Sequence, residues 1–130
     1  IPDTVEGEDC QRFIKGEEDE ERVSFLCASP GRADFVEKFK KAGKDPATYG
    51  WRGVRTKRYT YVIELGYDVV CKPKRYLYDN KQDPEQIHPL DLDTKENKML
   101  ARELEEKIIN WMKHQKDGFM DNWGREMAYE

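Results

Sequence analysis

Trp51-Arg52-Gly53-Val54-Arg55-Thr56-Lys57-Arg58-Tyr59-Thr60-Tyr61-Val62, answered further on by Leu77-Tyr78-Asp79-Asn80-Lys81-Gln82-Asp83-Pro84, is the stretch that decides the fold. Tyr59, Tyr61, Ile63 and Leu65 fall on one side of an extended chain, and Arg58, Thr60, Val62 and Glu64 on the other. Residues 50–56 and 58–65 therefore read as two strands. Thr56-Lys57-Arg58 between them has room only for a hairpin, so the strands are antiparallel neighbours. Val69-Val70-Cys71 is read as extending that ribbon across Gly66. Beyond Pro73, Arg75-Tyr76-Leu77-Tyr78 supplies a further strand, stopped by Asp79-Asn80 and Asp83-Pro84.

Towards the amino terminus, Val23, Phe25 and Cys27 alternate with other residues and predict a strand over 22–28. Pro30-Gly31 turns the chain. Residues 32–42 then place Phe35, Val36 and Phe39 on one helical side and lysines on the other, with Gly43 suited to the C-terminal cap. Towards the carboxy terminus, the spacing predicts a long helix over 93–117. Asp93 is its expected N-cap, with Glu96 closing a capping box. Leu100, Leu104, Ile108 and Trp111 form the apolar stripe, widened by Ile109 and Met112. At roughly 1.5–3 kcal/mol for each large side chain fully buried, this seam docks the helix. Glu103 and Lys107 sit one turn apart on the wet side. Gly118 is expected to end the helix, leaving an aperiodic tail from which Phe119, Met120 and Trp123 can pack back. The expected fold is α+β, a four-stranded antiparallel sheet with the long C-terminal helix across one face. The other face, or one sheet edge, should expose apolar surface. The aromatic stripe Tyr59, Tyr61, Tyr76 and Tyr78 is expected in the core against the helix, rather than as a platform for sugars or bases.

Composition sets the bounds. In 130 residues, 37% apolar and 38% charged, there is material for one core, and 12% aromatic residues argue against a disordered chain. The net charge of −4 is unevenly spread. Glu17, Glu18, Asp19, Glu20 and Glu21 make an acidic run, whereas Arg52, Arg55, Lys57, Arg58, Lys72, Lys74 and Arg75 make a local basic field. No nucleic-acid partner is expected. Nor does any apolar run approach a membrane span. Three cysteines, Cys10, Cys27 and Cys71, lack metal-like spacing and cannot all pair within the chain.

The strand containing Arg52, Val54, Arg55, Thr56, Arg58, Tyr59 and Tyr61, followed by the Leu77–Leu90 turn, resembles the carboxy-terminal subdomain of type I sulfatases. There an R-x-V-R-T-x-R-Y-x-Y strand precedes an L-Y-D-L-x-x-D-P-x-E-x-x-N-L turn. Ile1-Pro2-Asp3-Thr4-Val5-Glu6-Gly7 is similar to the linker that leaves that family's catalytic domain. Departures are visible. Asn80 stands in place of leucine, Glu85 and Gln86 displace the acidic residue, and Pro89 replaces the asparagine before Leu90. The chain starts at Ile1 without a methionine and is read as a piece of a longer protein. Residues 1–20 would be its linker, 21–118 the subdomain and 119–130 a tail.

The resemblance implies a parent of the alkaline-phosphatase-like superfamily that hydrolyses a sulfate ester of a carbohydrate or an aryl alcohol. An N-terminal catalytic α/β domain of the same protein would supply formylglycine and a calcium ion, and this piece alone should be inactive. An exported parent, periplasmic or secreted, is expected. The alternatives are a non-catalytic module that holds acidic glycans on the basic hairpin, and a related phosphatase or phosphonate hydrolase.

Chemistry within the chain itself is sparse. Cys27-Ala28-Ser29-Pro30-Gly31-Arg32 approaches the C-x-P-S-R motif whose cysteine becomes formylglycine, but proline stands three and arginine five residues on, where two and four are needed. It misses the C-x5-R phosphate cradle by one, and a single slip redirects the backbone N–H groups that such a cradle aims. Cys27 is expected as a buried strand-end thiol. No catalytic residue and no metal ligand is predicted, because His88 and His114 are far apart and residues 17–21 are a run rather than a cage. The candidate substrate-binding residues are Arg52, Arg55, Lys57, Arg58 and His88. Guanidinium forks suit sulfate or carboxylate oxygens, and the resemblance implies that Arg52, Arg55 or His88 contacts the sugar or leaving group. The competing role is pairing with Glu64, Asp79 or carboxylates of the missing domain.

Overall fold

The computed structural model describes residue 4 and residues 9–18 and 22–127. Most of the linker-like segment and Asp19, Glu20 and Glu21 of the acidic run lie outside the described residues, as do the last three residues of the tail. In chain order the elements are α1 (Gln11–Ile14), β1 (Ser24–Ala28), α2 (Ala33–Lys41), a 3-10 turn (Pro46–Thr48), β2 (Gly50–Arg55), β3 (Tyr59–Gly66), β4 (Lys74–Asp79), α3 (Lys95–Gln115) and α4 (Phe119–Met127). The strands form one antiparallel sheet in the order β1-β2-β3-β4, with α3 laid across β2 and β3. The α+β architecture read from the sequence is the one observed.

Register assigns every side chain to a face. Val54 lies opposite Tyr61, and Tyr61 opposite Leu77. These three, with Ile63 and Leu65, are fully buried beneath Leu104, Ile108 and Met112 of α3. One step along, Gly53, Val62 and Tyr76 share the opposite, outer face. Tyr76 and Tyr78 therefore point away from α3, which corrects the expectation that all four tyrosines pack against it. The reason is parity. The hairpin pairs Tyr61 with Leu77, so the tyrosines flanking Leu77 must face outward.

Several boundaries differ from the sequence reading. Thr94, not Asp93, caps α3, its Oγ1 accepting from the Asn97 amide at 3.2 Å. Asp93 is held one residue outside, its amide donating to Asp91 Oδ1. Replacing Thr94 by alanine should cost about 1 kcal/mol, to be read from urea denaturation of the two proteins. The buried stripe of α3 is Ala101, Leu104, Ile108 and Met112, while Leu100 and Trp111 flank it half-buried. Trp111 instead stacks on Phe25 of β1, ring centroids 5.1 Å apart. The ribbon does not continue through Val69-Val70-Cys71, because β3 stops at Gly66, whose φ of +84° turns the chain. Glu103 and Lys107 do pair across one turn of α3, at 4.0 Å.

The described part of the tail, Phe119–Met127, is a helix, not an aperiodic segment. Lys116, at φ 55°, closes α3 in the left-handed conformation, and α4 then folds back with Phe119 and Trp123 buried one turn apart. Asn122 fastens α4 by donating to the carbonyl and hydroxyl of Thr48. Gly50 opens β2 at φ +86°, where a Cβ would lie 2.1 Å from the Ala28 carbonyl oxygen. Only glycine lets β1 and β2 approach there.

Candidate functional site

The basic residues of the β2–β3 hairpin gather at one end of the sheet. The β2–β3 hairpin carries Arg55, Lys57 and Arg58 to that end, beside the first residues of β1 and the last of β4. The Asn80 amide donates to the Arg58 carbonyl at 2.6 Å, which locks the β4 turn against the hairpin. Asp83 in that turn accepts from the His88 amide at 2.7 Å, so His88 is carried to the same end, exposed. Four of the five residues singled out from the sequence are thus brought together by topology.

Their freedom differs. Arg58 is committed, because both Nε and a terminal guanidinium nitrogen donate to Asp79 Oδ2, at 3.1 and 2.9 Å, and the group lies over the Tyr59 ring. The Arg58 bond, helped by the Lys81 and Gln82 amides, holds the Asp79 carboxyl below its ordinary range. Asp83 is lowered likewise, first by the His88 amide. Lys57 reaches Glu18 at 2.7 Å. Arg55 is exposed and has no acceptor among the described residues. It lines a shallow hollow of about 360 Å³ with Arg22, Ser24, Thr56 and Lys57, closed by Glu18.

Arg52 is elsewhere. It points to the inner face, 4% exposed, and forks onto both oxygens of Asp117. Nη1 donates to the Trp51 carbonyl and Nη2, besides Asp117, to the Ala47 carbonyl, both at 3.0 Å, and the guanidinium stacks on Phe119 at 4.7 Å. Every donor direction is spoken for by this chain, so Arg52 does not face a ligand. It clamps the α3–α4 corner to β2. Burial pushes the Asp117 carboxyl up, but the Arg52 fork and the Phe119 amide outweigh it and leave the group lowered.

Around the corner from the basic end, the outer sheet face presents Leu26, Trp51, Val62, Tyr76 and Tyr78 about a hollow of about 270 Å³. All five are half-buried, and the rings of Tyr76 and Tyr78 lie near-parallel, 6.4 Å apart. The expected exposed apolar surface is this face. Cys27, expected to be buried, is exposed, on edge strand β1 outside the two central strands that α3 covers. Among the described residues no three His, Cys, Asp or Glu side chains converge as a metal cage would require.

Solved structures match the chain. YidJ of Bacteroides fragilis, described as a candidate sulfatase, is 21% identical with a TM-score of 0.61, over 93% of this chain and 22% of that one. A sulfatase of Bacteroides thetaiotaomicron, from its metabolism of multiple glycosaminoglycans, is 25% identical with a TM-score of 0.59, over 94% of this chain and 24% of that one. The chain thus spans less than a quarter of the length of either structure. No protein-family model matches it, and no curated protein does. The resemblance first seen in the hairpin and turn motifs extends to the fold of almost the whole chain, that of a sulfatase C-terminal-like piece.

Proposed function

We propose that this chain is the carboxy-terminal subdomain of a sulfate-ester hydrolase. The observation that carries the reading is the fold match over nearly all of this chain to two much longer sulfatase structures. The parent cleaves a sulfate ester, of a carbohydrate or an aryl alcohol, to the alcohol and inorganic sulfate, and is exported. Formylglycine and calcium do not fit the residues described here, because Cys27 stands in the wrong spacing and no carboxylates converge. Both belong to the N-terminal α/β part, which packs on the outer sheet face where Trp51, Tyr76 and Tyr78 lack cover. That docking brings the hairpin end to the rim of the catalytic cleft.

At the rim Arg55, which has no acceptor among the described residues, holds an anionic group of the substrate. Lys57 and His88 flank it, and Arg58 braces the turn through Asp79. The test is to assay the complete gene product for sulfate release from 4-methylumbelliferyl sulfate and from sulfated disaccharides, with the isolated chain alongside. Activity in the complete product and none in the isolated chain is the expected outcome. Phosphate release in its place would move the parent to the related phosphatases. Arg55→Ala in the active product should raise KM about fivefold with kcat nearly unchanged, the signature of lost ground-state binding at an exposed charge. Unchanged KM would remove Arg55 from the rim. Salt-sensitive binding of a sulfated oligosaccharide by the isolated chain, with no activity in any longer product, would instead identify a binding module.

A further inference from the structure

A further cavity lies away from both the basic hairpin and the outer face. Since α3 lies across β2 and β3, edge strand β4 and the chain leading into α3 leave a cleft of about 590 Å³ beneath the helix's first half. That volume is in the range of sites for small organic ligands. Its wall is part apolar, from Leu92, Ala101 and Ile109, and part charged, from Arg75, Lys98 and Arg102 against Asp93 and Glu105.

The charges are unequally employed. Glu105 is saturated: Oε2 accepts from the Tyr61 hydroxyl at 2.6 Å and from Arg75 Nε at 3.2 Å, and Oε1 from Trp123 Nε1 at 3.1 Å. Arg75 is spent on the same cluster and lies over the Trp123 ring. Lys98 faces Asp93 only loosely, at 3.8 Å, with both side chains largely in water. Arg102 has no acceptor among the described residues. It sits one helical turn from Lys98, so the two cations overhang the same mouth.

We propose that this cleft binds a small organic anion, its acidic group held by Arg102 and Lys98 and its ring or apolar body lying on Leu92, Ala101 and Ile109. A carboxylate or sulfonate suits the guanidinium fork. Glu105 supports the floor and repels a ligand that enters acid-first, which fixes the orientation. The inference does not depend on the hydrolase reading, because every group it uses is in this chain.

The experiment is a titration of the isotope-labelled 130-residue chain with naphthalene-1-sulfonate, followed by amide NMR shifts. Shifts confined to residues 92–109 and to Arg75 are expected, and Arg102→Glu, an exposed change that leaves the fold intact, should weaken binding about tenfold or more. Sodium sulfate, which lacks the ring, and neutral naphthalene methanol, which lacks the charge, should each bind more weakly at the same residues. Shifts centred on Trp51 and Tyr76, binding indifferent to Arg102→Glu, or no saturable shift at millimolar probe would each overturn the proposal.

Discussion

Arg52→Ala is expected to destabilise the fold by about 3–5 kcal/mol, the range for removing one partner of a buried ion pair. The melting temperature should drop by roughly 10 °C or more. The size follows from what is left behind. Asp117 would keep its charge at a half-buried corner, the Ala47 and Trp51 carbonyls would lose donors, and Phe119 would lose the guanidinium on its face. Arg52→Lys keeps the charge but cannot fork onto two oxygens or stack as a plane, so it should recover less than half of the loss.

The same pair imposes an acid limit. The folded Asp117 carboxyl titrates below its unfolded counterpart. Its contribution is therefore fully present above the unfolded value of roughly 3.9, and is lost as pH falls through the lower folded one. Chemical denaturation at pH 6 and pH 3 measures this directly. Asp117→Asn should start less stable and lose less on acidification. A variant that loses as much as the parent would show that other carboxylates, Asp79 and Asp83 among them, carry the acid sensitivity.

Arg52 also shows what the sequence could and could not tell. Its inward direction was available, because it stands two residues before Val54, and period two puts both on one face, with Arg55 on the other. Charge alone groups Arg52 with Arg55, Lys57 and Arg58, whereas parity sets it apart from them. The partner was not available, since Asp117 lies 65 positions along the chain and no local pattern links it to β2. The sheet was legible because alternation in β3 is clean and the hairpin is tight. The orientation of Tyr76 and Tyr78 needed the β3–β4 register, which the loop over residues 67–73 does not set from composition. Helix α4 was hidden by its length of nine residues and by Gly124, although Phe119 and Trp123, four apart, carried a signal. At the candidate rim, the sequence supplied the residues but not their availability. Only contacts separate a committed Arg58 from an Arg55 with no acceptor among the described residues.

The second large effect is expected at Glu105. Its carboxylate receives Tyr61, Arg75 and Trp123 from β3, β4 and α4, so one side chain on α3 joins the three elements packed around it. Glu105→Ala should cost about 3 kcal/mol, because it strands a buried hydroxyl and an indole N–H as well as a partly buried guanidinium. Glu105→Gln tests whether charge or geometry matters. The amide offers one acceptor where three donors converge, so it should return less than half of the loss, whereas full recovery would mean that packing alone holds this corner. Burial first, and then the adjacent Glu105 carboxylate, push the Tyr61 phenol well above its ordinary value. A raised folded value means that the neutral hydroxyl is what the fold stabilises. That contribution is complete below the unfolded value of roughly 10 and drains away as pH rises beyond it. Stability measured from pH 8 to pH 11 should fall in the parent, and fall less in Tyr61→Phe, which has no proton to lose. Equal slopes in the two proteins would place the alkaline sensitivity in other residues and leave Glu105 a purely local brace.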